Sequence, residues 1–344
     1  MVYSVLRRAG FNAALYTSPH LVDLRERMIV NDSPIPRDAF SEWTTGLQSV
    51  IEECDASFFE ATTAIAFADF ASRGAEIAVV EVGLGGRLDA TNVVSPLVSA
   101  VTNVSLEHTD YLGTSLEQIA WEKAGIAKPN TPFVIGEEDS RIAQCLRERA
   151  SERGASVYEL PEGLLYMEPM SLAGSCQRRN AAVADAVLRQ LPVNVRPEPS
   201  DIRDGIASAY VPGRFDRRGK WLFDVAHNRA GVQALIDQMR NAELPRPVHV
   251  LVGMVGDKDW EVVLPMLRAE ADAMWLTVAP SMPSDRLPDV SQMKVDTGLD
   301  LVAEHNFDAA LNDVQCGAGS VLVTGSFFTV GDALARLPGF APLG

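Results

Sequence analysis

IAVVEVGLGGRLDATN, residues 77–92, sets a β-branched apolar run against a glycine-rich turn, with one carboxylate, Glu81, at the junction. A run such as Ile77 to Val80, bounded by turn residues, reads as a parallel strand covered on both faces. The carboxyl ends of such strands open into the crevice where α/β proteins bind ligands. Glu81 is therefore expected to face chemistry, the competing reading being a carboxylate that only caps its own turn.

Outward from this stretch, apolar strand-like runs alternate with helical periodicity, the pattern of βαβ units, so the fold class is α/β with a mainly parallel, doubly wound sheet. Strand candidates are Ala13–Tyr16, Ile77–Val82, Leu97–Val104 and Pro132–Ile135; helix candidates are Phe59–Ser72, Ser115–Ala127, Arg141–Ser151 and Asn180–Leu191. A proline-rich stretch, Leu191 to Pro199, and a helical piece, Asp201–Ala209, lead to Val211-Pro212-Gly213. A second, smaller α/β series then starts with Trp221–Phe223 and His249–Val252, so the domains are expected at 1–211 and 212–344.

The composition excludes several classes. The 344 residues are 47% hydrophobic, enough for two real cores. Lys and Arg number 30 against 46 Asp and Glu, a net charge of −16 without basic runs, so neither nucleic acid nor an anionic membrane is an expected partner. Cys54, Cys145, Cys176 and Cys316 are widely spaced, which argues against a structural zinc site and fits a reducing compartment. No stretch approaches the roughly 20 apolar residues of a membrane span, no signal-peptide h-region is present, and a cytoplasmic location is expected.

Four constellations can carry chemistry. The third strand candidate runs on to Leu106 and ends in Glu107-His108, so His108 is expected at the same sheet edge as Glu81, where a neutral imidazole and a hard carboxylate can share a divalent metal. Thr114 and Glu117 have capping-box spacing, and Leu116, Ile119, Ala120, Ala124 and Ala127 then line one helix face, on which Lys123 also falls. A lysine there must snorkel, pair with a carboxylate or lose its charge, and a neutral amine can take up carbon dioxide as a carbamate. In the second series, Asp224-Val225-Ala226-His227-Asn228 joins a strand to a helix with Asn228 as N-cap, a place for an anion or a plain capped turn. Arg214, just upstream, can clamp phosphate or lie solvated. Ser18 follows the first strand, where its hydroxyl can meet magnesium or merely start a Ser-Pro turn. Lys258 in GMVGDKDW and Thr324-Gly325-Ser326 rank lower, as a charged loop and a chain turn.

Together these pieces resemble the folylpolyglutamate synthase and dihydrofolate synthase family of Mur-type ATP-dependent ligases. YTSPHL (16–21), ERMIVNDSPI (26–35), FFEATTAIAF (58–67), EVGLGGRLDATN (81–92), EHTDYLG (107–113), EKAGIAKP (122–129), PGRF (212–215), DVAHN (224–228) and TGSFFTVG (324–331) recur in the family's order. The likeness thins from Glu137 to Gln177 and from Met282 to Ala318.

The resemblance implies a Mur-ligase-like ATPase domain followed by a smaller Rossmann-like domain. It implies magnesium ligation by Ser18, Glu81 and His108, with one or two ions, carbamylation of Lys123 to a further metal ligand, and a monovalent cation as an additional cofactor. Arg214, Asp224, His227 and Asn228 would hold ATP, and Thr17, Ser18, Pro19, His20, Phe59, Glu60 and Thr63 would border the pterin-bearing substrate. The implied reaction joins L-glutamate to dihydropteroate, or to the γ-carboxyl of a tetrahydrofolate, through an acyl phosphate, in a monomeric and bifunctional enzyme. Other Mur-type ligases, or an impaired nucleotide- or folate-binding fragment, are the alternatives.

Some features depart from the family pattern. The family's GxxGK[ST] phosphate loop should precede the helix leading to YTSPHL, and neither GLGG (83–86) nor GMVGDK (253–258) has its ending. The chain is accordingly expected to be incomplete at its N-terminus, without that loop and its strand, and to turn over poorly as it stands. Val225, Arg229 and Glu107 replace the family's frequent glycine, proline and aspartate.

Overall fold

A computed structural model describes residues 1–172 and 174–341. By its internal contacts the chain forms two compact units. The first holds residues up to Ser18, Arg27–Ser171 and Ser175–Tyr210; the second holds Pro19–Glu26, Leu172, Gly174 and the chain from Val211 onward.

In the first unit the elements are α1 (Val2–Arg8), β1 (Ala13–Tyr16), β2 (Met28–Val30), β3 (Ser33–Pro34), α2 (Arg37–Glu53), α3 (Phe58–Ser72), β4 (Ile77–Val80), β5 (Ser99–Val101), α4 (Thr109–Leu112), α5 (Leu116–Lys123), β6 (Pro132–Ile135), α6 (Ser140–Glu152), β7 (Ser156–Glu159), α7 (Ser175–Arg189) and α8 (Pro199–Ala207). They make two sheets, ordered β3-β2-β1-β4 and β5-β6-β7. β1 and β4 are parallel, with Tyr16 opposite Val80, while β2 runs antiparallel to β1. Val5, Leu6, Leu188, Ile202 and Ile206 of α1, α7 and α8 cover one side of β1. Ile65, Ala66 and Phe70 of α3 pack beneath Tyr16 and Met28 on the other. α7 also serves the second sheet, setting Ala182 and Val183 against Val134.

Two sequence expectations change here. β4 is half-exposed, with Ala78 open to solvent, instead of covered on both faces. It pairs only with β1, and β5 only with β6, so these two strands are not ladder neighbours among the described residues. The third candidate strand shrinks to Ser99–Val101: Gly136 N–H to Val101 O closes its pairing with β6, and beyond it the Val104 N–H goes to the Glu137 carboxylate at 2.6 Å instead of to a strand.

In the second unit, β8 (Asp216–Arg218), β9 (Trp221–Phe223), α9 (Arg229–Asn241), β10 (Val248–Val252), α10 (Trp260–Glu270), β11 (Ala273–Thr277), α11 (Val290–Thr297), β12 (Val302–Glu304), α12 (Phe307–Val314), β13 (Ser320–Thr324) and α13 (Phe327–Arg336) form one six-stranded sheet, β12-β11-β10-β13-β9-β8. Only β8 runs antiparallel to its neighbour. α9, α10 and α11 cover one face through Val232, Leu235, Leu264 and Met293. α12 and α13 cover the other through Leu311, Val330 and Leu334. Each such buried aliphatic side chain contributes about 1.5–3 kcal/mol. No helix among the described residues is long and apolar enough to cross a membrane.

Candidate functional site

The β1–β4 register decides where Glu81 lies. With Tyr16 opposite Val80, the residues that follow each strand emerge side by side. The Thr17 hydroxyl and the Ser18 backbone N–H, at 2.9 Å, both donate to Glu81 Oε2. Glu81 therefore does not cap the turn that follows it. That task falls to Asp89, whose Oδ2 accepts from Gly83 N–H at 3.0 Å and Leu84 N–H at 2.8 Å while its Oδ1 accepts from Thr91 N–H at 2.9 Å. Asp89 was legible only as one letter of a motif, since its partners lie upstream across the turn.

The turn rests on the end of α5. A Cβ on Gly86 would fall 2.9 Å from the carbonyl oxygens of Glu122 and Lys123, so backbone meets backbone there and only glycine fits. Arg87 N–H donates to Glu122 O at 2.9 Å, and the Arg87 guanidinium pairs with the Glu122 carboxylate at 3.0 Å. Lys123 is thereby set beside the glycine turn. The helix itself starts one residue later than expected. Ser115 and Gln118 form the capping box instead of Thr114 and Glu117, because the Gln118 side chain reaches back to both the Ser115 and Thr114 N–H groups.

Lys123 shares a cavity of about 180 Å³ with Val82, Gly83, Glu107, His108, Leu112 and Ile119. Burial pushes its amine below the usual lysine range, while the Glu107 charge opposes that shift. His108 stands at the head of α4 with a left-handed backbone, φ 53°, a conformation that costs a non-glycine residue energy and that clusters at functional sites. Among the described residues no three His, Cys, Asp or Glu side chains converge as a closed metal cage. The structure thus brings Ser18 to Glu81 and His108 to Lys123 as two pairs, and the expected strand-to-strand adjacency of Glu81 and His108 is absent because β4 and β5 lie in separate sheets.

The expected substrate residues divide. Phe59 lays its ring against Gly83 and 5.8 Å from the Tyr16 ring. Thr63 is buried, its hydroxyl 3.0 Å from Tyr16 Oη and 2.7 Å from Phe59 O, so it braces the strand end from behind. The Glu60 carboxylate closes a capping box on Ser57. The exposed aromatic is Phe58, with the buried Arg27 guanidinium 5.6 Å from its ring centre. Pro19 and His20 group with the second unit.

In the second unit Asp224 leaves β9 buried, accepting Phe215 N–H at 2.8 Å and Ala226 N–H at 2.9 Å. Burial raises its pKa, opposed by those two amides and by the charges of Arg214 and His227. Asn228 caps α9 by accepting Gly231 N–H at 2.8 Å. His227 Nδ1 lies 2.9 Å from Val225 O, so Nδ1 carries the proton in this arrangement and Nε2 is the outward nitrogen. Phe327, visible in the sequence only as one letter of TGSFFTVG, gathers the group: Arg214 stacks 5.6 Å from its ring centre and the His227 ring lies 6.2 Å away. Asp224, His227, Asn228 and Arg214 therefore lie around one strand end and one helix N-terminus. Ser326 caps α13 through Thr329 N–H, and Asp257, beside Lys258, pairs with Arg286.

Residues 40–164 match the Mur ligase middle domain and residues 213–327 the Mur ligase glutamate ligase domain. The dihydrofolate synthase/folylpolyglutamate synthase of Escherichia coli (strain K12) is 34% identical over 347 residues, spanning 95% of this chain and 80% of the relative. The folylpolyglutamate synthase of Lacticaseibacillus casei is 28% identical, spanning 94% and 83%. The solved structure of E. coli FolC in complex with DHPP and ADP superposes with a TM-score of 0.86 at 31% identity, covering 97% of this chain and 84% of that one. A bifunctional folylpolyglutamate synthase/dihydrofolate synthase with Mn, AMPPNP and L-glutamate bound gives 0.82 at 29% identity, covering 97% and 84%.

Proposed function

The chain belongs to the dihydrofolate synthase and folylpolyglutamate synthase family of Mur-type ligases, and from that premise we propose how its own residues divide the work. The reaction is the ATP-dependent addition of L-glutamate to dihydropteroate or to the γ-carboxyl of a folate, through an acyl phosphate. A free carboxylate is a poor electrophile, and phosphorylation converts it into one that an amine can attack. Catalysis of such a transfer rests on positioning and charge.

Ser18 and Glu81 are the metal pair. The observation that carries this assignment is the register of β1 on β4, which brings the residues after both strands side by side, so that the Ser18 backbone N–H and the Thr17 hydroxyl donate to the Glu81 carboxylate. Such a site suits magnesium, which binds through one or two protein oxygens and completes its shell with water and phosphate oxygens. When bound, magnesium offsets the charge of the triphosphate and of the group being transferred. Lys123, desolvated beside the glycine turn, is the amine poised for carbamylation, and His108 faces the same cavity. The carbamate would replace a cation by an oxygen donor. A monovalent cation is carried over from the resemblance alone.

Arg214, His227 and Asn228, with Asp224 fixing the loop beneath them, hold the nucleotide. Arg214 stacked on Phe327 is pre-oriented for phosphate, which lowers the entropy lost on binding. The acceptor borders Thr17, Ser18 and Phe59, together with the exposed Phe58, while Glu60 and Thr63 support that wall by capping α3 and bracing Tyr16. Pro19 and His20 continue the loop from Ser18. The monomeric state is the one the family resemblance implies. The cytoplasmic reading rests on the widely spaced free cysteines.

Phosphate release tests this function. Release by the purified chain is expected to require ATP, Mg2+, L-glutamate and dihydropteroate together; release indifferent to L-glutamate would contradict it.

A further inference from the structure

Pro19–Glu26 leaves the first unit directly after Ser18, groups with the second unit and returns at Arg27. This strap is a built element. The Glu26 carboxylate accepts the backbone N–H groups of Leu21 at 2.8 Å, Val22 at 3.0 Å and Asp23 at 2.8 Å. Charge-assisted bonds of this kind are about twice as strong as neutral ones. The Arg25 guanidinium forks onto the Asp23 carboxylate, with Nη2 at 2.8 Å and Nε at 3.1 Å from separate oxygens, which stiffens the same turn.

The strap meets α13 at a glycine. A Cβ on Gly331 would lie 1.9 Å from the Leu21 carbonyl oxygen, far inside contact distance, and the obstructing atom is backbone that has no rotamer to escape into. Leu21 packs beside Val225 and Val330, its Cδ1 3.5 Å from a Cβ built on Gly213. Phe327, which gathers Arg214 and His227, lies four residues before Gly331, one turn along the same helix face.

We propose that Gly331 is a positioning residue: its missing side chain makes a notch in α13 that seats the Leu21 carbonyl, and the strap so held fixes Ser18, whose N–H binds Glu81. The functional consequence rests on the metal and nucleotide roles proposed above; the mechanical link does not.

Residue-resolved hydrogen exchange on the full chain tests the link. In Gly331→Ala the amides of Leu21, Val22, Asp23 and Ser18 should exchange at least tenfold faster, with β9, β10 and β13 unchanged. Glu26→Gln keeps an acceptor oxygen but loses the charge, and should loosen the same amides by a smaller factor; it also serves if Gly331→Ala fails to fold. Ser18 protection unchanged in both variants would overturn the proposal, even if Leu21 loosens. Mn2+ affinity measured with ADP present should fall about tenfold in Gly331→Ala. A wild-type chain that binds no Mn2+ would count against Glu81 as a metal ligand, and the exchange data would then decide the strap by themselves.

Discussion

Glu81→Gln is expected to slow glutamate addition by a factor of about 10² to 10³, with little change in thermal midpoint. Glutamine keeps an oxygen where the Thr17 hydroxyl and the Ser18 N–H donate, so the local hydrogen bonds survive while the negative charge is lost. Removing one preorganised electrostatic contact to a developing charge typically costs roughly 3–4 kcal/mol of transition-state stabilisation. Single-turnover rates at saturating Mg2+ read the effect directly. If the carboxylate were structural only, the variant would lose stability and keep its rate within threefold.

Lys123→Met should move activity and stability in opposite directions. Loss of the amine removes the group that carbamylation would convert to a ligand, and a fall in rate of at least about a hundredfold is expected on the same scale. Stability follows from the pKa direction. The native amine is held below the ordinary lysine value because burial disfavours its charge, so between that lowered value and the unfolded value the unfolded chain binds more protons. Stability of the natural chain should rise with pH through that window, and below it the buried charge is fully felt. A methionine side chain in its place would carry no such burden. In buffer free of carbon dioxide, where the amine stays unmodified, the variant should melt higher at neutral pH, by roughly 2–4 °C for each kcal/mol relieved, and its stability should lose the alkaline rise. Equal melting at neutral pH would contradict the desolvation argument. In 13C-bicarbonate the natural chain should also show a carbamate resonance that the variant lacks.

What could be read from the sequence followed the range of the interactions involved. β1, β6 and β9 were legible to the residue because each is a short apolar run closed by turn residues. The placement of Lys123 on a buried helix face was equally local, a matter of 3.6-residue periodicity against Ile119 and Ala120. Strand pairing was not local. Nothing in Ile77–Val80 or Leu97–Val104 indicates that β4 and β5 lie in separate sheets, and the half-exposed β4 contradicts the covered strand its composition suggested. α2 has no fully buried residue and carries no side-chain cap, so its signals were weak.

The site divides along the same line. Glu81, Lys123 and Asp224 stand at strand or helix ends that local pattern can find. Asp89, Glu26, Phe327 and Gly331 act on backbone or rings brought to them by folding: five and six residues away for Asp89, and as distant as Arg214 for Phe327. Their identities were visible within motifs, but their tasks belong to the folded chain.

Oxygen transfer from the acceptor carboxylate to phosphate reports acyl-phosphate formation itself. Dihydropteroate labelled with 18O in its carboxylate, incubated with ATP, Mg2+, L-glutamate and stoichiometric chain, should deliver one labelled oxygen into the inorganic phosphate released, because acyl-phosphate formation leaves that oxygen on phosphorus when the amine attacks. Phosphate free of label, with amide product formed, would contradict the account.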